Sequence, residues 1–127
     1  TTNVTWLFPT KYTTLDAPVN LVTSREMRLI IAESLLRSGD WQGAVALVNT
    51  LRADVGVAPW TASNVADAWT ALARERGIEL WLEGRRLGDE YRLLTEKVPG
   101  TIENMTGRDL CFPVGISEAT TNPNIQP

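Results

Sequence analysis

TSREMRLIIAESLLRSGDWQGAVALVNTLRADVG, residues 23–56, decides the fold class. It opens on a capping box. The Thr23 hydroxyl can accept from the Glu26 amide, and the Glu26 side chain can reach back. Val22 and Met27 stand where a hydrophobic staple sits. Met27, Ile30, Ile31, Ser34 and Leu35 then follow the i, i+3, i+4, i+7, i+8 spacing of a buried helix face. Gly39 supplies a left-handed residue to end that helix, and Asp40 can cap the next at once. The second helix carries Ala44, Leu47, Val48, Leu51 and Val55 beside Trp41. It stops at Gly56, and Pro59 prevents its continuation. The sequence therefore predicts a tight antiparallel helix hairpin over residues 23–55. Ala32 and Ala44 let its two helices approach closely, and Trp41 fills the wedge beside the turn. The spacing of Ala32, Leu35, Gly39, Trp41, Ala44 and Val48 resembles a single tetratricopeptide-like hairpin.

Residues 56–62 form a connecting loop that contains Pro59 and Trp60. Ser63 or Asn64 can cap a third helix, with Asp67 in its first turn. Val65, Trp69, Leu72 and Leu80 give its core stripe. It runs into ARERGIELWLEGRRLGDEYR, residues 73–92. Glu75, Glu79 and Glu83 recur every fourth residue and fall on one side of a helix. Arg74, Arg76, Arg85, Arg86 and Arg92 surround them. Ile78, Leu80, Trp81, Leu82 and Leu87 lie between the charges, so this segment is expected to sit between two packed layers. Gly77 implies a close crossing, and Gly84 implies a helix end or kink. A further helix over residues 85–95 carries Leu87, Tyr91 and Leu94.

The ends are read as irregular. Residues 1–22 form an extended arm with one or two short strands, whose Trp6, Phe8 and Tyr12 need cover. Residues 96–127 form a tail, with a firm turn at Pro99-Gly100 and a short strand or buried loop over residues 110–114. The fold class is thus mainly α, either a single domain or the C-terminal portion of a larger one.

Composition narrows the function. The chain of 127 residues is 43% hydrophobic and 21% charged, a globular balance. Its formal net charge of −3 argues against nucleic acid as a principal partner. No apolar run approaches the ~20 residues of a membrane span. Histidine is absent, so neither a Ser-His-Asp nor a Cys-His site can be assembled. The lone Cys111 permits no internal disulfide and no thiolate cluster, and is read as a buried small hydrophobe. No cofactor or metal site is implied. Asn3-Val-Thr5 and Asn104-Met-Thr106 match the glycosylation pattern loosely. The first residues lack the basic start and apolar core of a signal peptide, and the chain begins as though cut from something longer.

Three blocks carry a family resemblance: SREMRLIIAESLLRSGDWQGAVALVNTLRADVG, LARERGIELWLEGRRLGD and GRDLCFPVGISEATTNPN, in that order from Ser24 to Asn124. Together they resemble the C-terminal part of the SusD/RagB family. The resemblance implies a mostly helical fold with tetratricopeptide-like hairpins supporting an irregular ligand-binding region. It implies a lipoprotein on the extracellular face of the bacterial outer membrane, held by a lipid anchor that this chain lacks. Such proteins cap a TonB-dependent, SusC-like transporter, bind oligosaccharides or peptides for import, and are not enzymes. Family members are several times longer. Where they tend to continue with Asp-Leu-Arg-Arg-Trp, this chain has Asp89-Glu90-Tyr91-Arg92-Leu93. The resemblance assigns no ligand contact to a numbered residue here.

Three functions follow. In a nutrient-binding lipoprotein, sugar rings need aromatic faces, and Trp60, Trp6 and Tyr12 are the candidates. Trp41, Trp69 and Trp81 follow helical stripes and are read as packing residues. In a helical scaffold or accessory subunit, the hairpin would instead hold another protein. In a hydrolase, Glu79 and Glu83 would stand at glycosidase separation, ~5–9 Å. The surrounding arginines argue for ion pairing, so Glu79→Gln is expected to cost stability rather than activity.

Overall fold

In the computed structural model the described residues are 10–100 and 114–124. They form five helices: α1 (Ser24–Arg37), α2 (Trp41–Ala53), α3 (Val65–Glu79), α4 (Arg86–Thr95) and α5 (Ile116–Thr121). No strand occurs among the described residues. The fold is mainly α, as expected. Helices α1, α2 and α3 pack on one another, α4 packs on α3, and α5 packs on none of them.

The hydroxyl half of the expected capping box and the Asp40 cap both form, whereas the Glu26 side chain faces Arg85 at 3.7 Å and makes no bond back to Thr23. The Thr23 hydroxyl accepts from Glu26 N–H at 3.1 Å, and Asp40 Oδ1 accepts from Gly43 N–H at 2.8 Å. Gly39, at φ +93°, closes α1: its N–H donates to Leu36 O, and Asp40 N–H donates to Leu35 O. Those two bonds satisfy the last carbonyls of the helix in a Schellman motif. The hairpin is antiparallel, because the start of α1 reaches the end of α2. Arg25 Nη2 donates to Leu51 O at 3.0 Å, and Arg28 Nη1 donates to Asp54 Oδ2 at 3.2 Å. Val22 and Met27 are both exposed, so the expected staple is not closed.

The core is made of Leu29, Ala32 and Leu36 from α1, Ala44, Val48 and Leu51 from α2, Ala68, Trp69 and Leu72 from α3, and Leu93 from α4. Ala32 and Ala44 are fully buried, as close approach of α1 and α2 requires. Trp41 and Leu47 pack partly against the core, whereas Val55 and Val65 are exposed.

The buried face of α1 departs from the expected one. Met27, Ile30, Ile31 and Ser34 face outward, and Leu35 is half-buried. Both candidate stripes keep helical spacing, because α1 is apolar around more than half its circumference. Ala32 decides between them, since only a small side chain admits α2. Glu26 and Glu33 flank the same buried stripe and meet Arg85 and Arg92 from later in the chain.

The segment after Gly77 also departs. α3 ends at Glu79, and residues 80–84 form a turn with Leu82 (φ +65°) and Gly84 (φ +70°) in the left-handed region. Leu80 is buried there, but Ile78, Trp81, Leu82 and Leu87 are exposed, so the segment is not held between two layers of described residues. α4 is fastened to α3 instead by Leu93 and by a two-pronged bond. Arg76 Nε and Nη2 donate to Asp89 Oδ2 and Oδ1 at 2.8 and 2.9 Å. Within the tail expected to be irregular, α5 forms a short exposed helix. The Thr120 and Thr121 hydroxyls donate to the carbonyls of Ile116 and Ser117 four residues back. Residues 10–22 of the arm contain no strand. The first nine residues, with Trp6 and Phe8, and the expectations for Cys111 and for residues 110–113 lie outside the described residues.

Candidate functional site

The glutamate ladder is a fastening. Glu75 Oε2 meets Arg52 at 2.7 Å, Glu79 Oε1 meets Arg25 at 2.7 Å, and Glu83 Oε1 meets Lys11 at 2.5 Å. Each rung therefore ties α3, or the turn after it, to a different part of the chain. These are not the arginines expected to surround the ladder. Those pair elsewhere: Arg76 with Asp89, Arg86 with Glu90, Arg92 with Glu33, and Arg85 with Glu26 at 3.7 Å. Helix geometry supplies the reason. Only Arg76 lies within one turn of Glu79, and Asp89 already occupies its fork. Glu83 has left the helix. Both carboxylates are thus committed to cations, the ion pairing expected of Glu79 and Glu83.

Glu33 is the densest junction. Arg92 and Arg37 both donate to its Oε1, and Arg92 Nη2 donates to Oε2 at 2.9 Å. Burial pushes the Glu33 pKa up, but the bonds from Arg92 and Arg37 outweigh it and hold the carboxyl below its ordinary value. Arg92 is correspondingly raised, chiefly by Glu33.

The aromatic candidates separate. Trp60 is pinned in its loop from several sides. Its backbone N–H donates to Asn49 Oδ1 at 2.8 Å, and its carbonyl accepts from Asn49 Nδ2 at 3.0 Å. Its indole Nε1–H donates to Glu75 Oε2 at 2.8 Å. The Arg52 guanidinium lies 4.5 Å from the ring centre and that of Arg74 lies 6.0 Å away. Tyr12 sits at φ +59° with its hydroxyl buried and unpartnered among the described residues, and Lys11 lies 5.7 Å from its ring centre.

Trp60 borders a cleft of about 700 Å³, whose described lining is Trp60, Arg74, Gly77, Ile78, Trp81 and Arg86. Tyr12 is not part of that lining. Trp81 was expected to be a packing residue, but it is 56% exposed and forms the second aromatic wall. Trp69, at 4% exposure, is the packing residue expected. The difference was available in the spacing. At 100° per residue, Trp81 lies about 120° around a helix from Trp69, whereas Leu80 lies about 20° away. Gly77 completes the floor, because a Cβ there would stand 2.3 Å from Arg86 Nη1. The close approach that Gly77 implies is thus made by a side chain, not by a crossing helix. The result is two indole rings, an aliphatic side chain and two guanidiniums around one opening. Such a site can stack planar or ring-shaped ligands and can bind hydroxyl or anionic groups at its rim.

A family model for the SusD family matches residues 25–125. No curated protein and no solved structure matches the chain. The match covers most of the sequence, and the chain belongs to the SusD family.

Proposed function

We propose that this SusD-family chain is a non-catalytic glycan- or nutrient-binding component of an outer-membrane uptake system. It works at the extracellular face, beside a TonB-dependent, SusC-like transporter, and is held there by a lipid anchor. Family membership is the observation that carries the reading. The cleft lined by Trp60 and Trp81 supports it, because indole rings beside an opening are surfaces that sugar rings stack on. The tetratricopeptide-like character of the hairpin belongs to the same reading. Affinity electrophoresis of the chain through gels containing oligosaccharides tests it. Retardation that Trp81→Ala abolishes is the expected result; unchanged mobility across a broad set of neutral and acidic glycans would refute it.

A second reading is favoured by a different observation. Met27, Ile30 and Ile31 present an apolar strip on the outside of α1. A helical scaffold or accessory subunit that holds another protein would use such a strip. Cross-linking from an Ile31→Cys variant in outer-membrane preparations separates the readings. Capture of the transporter fits the uptake component, and capture of an unrelated assembly fits the scaffold.

A further inference from the structure

The lining of the Trp60–Trp81 cleft is one-sided in charge. Arg74 and Arg86 contribute cations, and no carboxylate lines the cleft among the described residues. Glu75 comes nearest in sequence, but its Oε2 is committed to Arg52 and to the indole N–H of Trp60. Arg86 Nε meets Glu90 Oε1 at 2.9 Å, so part of its charge is shared. Arg74 forms no ion pair among the described residues, and it stands 6.0 Å from the Trp60 ring centre. A surface guanidinium with no carboxylate partner among the described residues, beside an aromatic platform, is matched to a ligand that brings both a ring and a negative charge. The planar fork of arginine suits a carboxylate in particular.

Resting on the uptake reading above, we infer that the cleft selects acidic saccharides, with a uronate ring stacked on Trp60 and Trp81 and its carboxylate turned to Arg74. Arg86, laid across Gly77, supports the same charge from the floor. Neutral sugars find the aromatic walls but leave the Arg74 fork unused. The two indoles supply ring affinity, and Arg74 supplies the choice between acidic and neutral rings. Because Arg74 is exposed, that choice weakens as salt rises.

The test titrates the full chain by calorimetry with matched pairs of oligosaccharides: glucan and glucuronan, galactan and galacturonan, mannan and mannuronan. Methyl esters of the acidic members serve as neutral copies of the same rings. The expected result is that an acidic member binds about tenfold or more tightly than its methyl ester. Arg74→Gln should remove most of the difference, Arg74→Lys should restore part of it, and Trp81→Ala should weaken acid and ester together. Equal affinity for acid and ester, or a preference undiminished by Arg74→Gln, overturns the inference while leaving saccharide binding in place. No binding by any member overturns both readings.

Discussion

Trp60 and Glu75 share a hydrogen bond across fifteen residues of chain, with the indole Nε1–H donating to Oε2 at 2.8 Å. Arg52 grips the same oxygen at 2.7 Å. One carboxylate of α3 therefore fixes both the loop that carries an aromatic wall and the second half of the hairpin. Removing it leaves Arg52 Nη1 and an indole N–H without that acceptor in a largely dry place, although Arg52 Nε still donates to Ala58 O. Glu75→Ala is expected to cost about 3–5 kcal/mol in urea unfolding, the scale for breaking a buried pair from one side. Glu75→Gln keeps an acceptor for Trp60 and should cost less. A red shift in tryptophan emission should accompany the alanine variant. If Glu75→Ala cost under about 1 kcal/mol, the pair would be a surface contact and not a fastening.

The tryptophans divide into those that hold the fold and those that face the opening. Trp69 sits within the core, and Trp69→Ala is expected to lose about 3–5 kcal/mol. Trp81→Ala should stay within about 0.5 kcal/mol of the parent, as exposed substitutions do. The same variant should lose saccharide binding. Thermal melts beside affinity electrophoresis read the two effects separately. A large stability loss at Trp81 would return it to the packing role that its stripe suggested.

Much of this was legible from residue spacing, and what was not has a physical cause. Thr23, Gly39, Asp40 and Gly56 mark their helix ends through local chemistry that the sequence carries whole. The buried face of α1 was ambiguous because two stripes satisfy one periodicity. The choice between them depends on partners some sixty residues away, such as the Arg92 that meets Glu33. The early end of α3 was hidden because Leu80, Trp81 and Leu82 carry no stop signal before Gly84. Of the candidate site, Trp60 was visible as a loop aromatic, and the outward direction of Trp81 was present in its offset of about 120° from Trp69. Arg74 gained meaning only beside the two rings.

The Glu33 junction sets a direction for acid sensitivity. In the folded chain its carboxyl lies below the ordinary value of 4.5, and in the unfolded chain it returns to that value. Between the two, the unfolded state binds more protons, so stability rises with pH across that window. The contribution is fully present above about pH 4.5 and is lost as pH falls through the folded value. Urea midpoints measured from pH 3 to pH 7 should therefore fall toward the acid end. Glu33→Gln should flatten that fall while lowering stability at neutral pH, because Arg37 and Arg92 lose their shared partner. An unchanged pH profile in Glu33→Gln would mean that other carboxylates carry the acid response.

Gly77 separates helix propensity from cleft geometry. It lies inside α3, where glycine costs about 1 kcal/mol relative to alanine. Its added methyl would collide with Arg86 Nη1, the far end of a flexible side chain, and with no backbone atom. The guanidinium can swing away at little cost, so Gly77→Ala should raise stability by about 0.5–1 kcal/mol. The floor of the cleft should change in the same step, because Arg86 can no longer lie across the helix. Gain in a urea melt combined with weaker uronate binding is the expected pair of results. A loss above about 1 kcal/mol would mean that Arg86 is clamped over Gly77 and unable to give way, which would make that arginine part of the fold before it is part of the cleft.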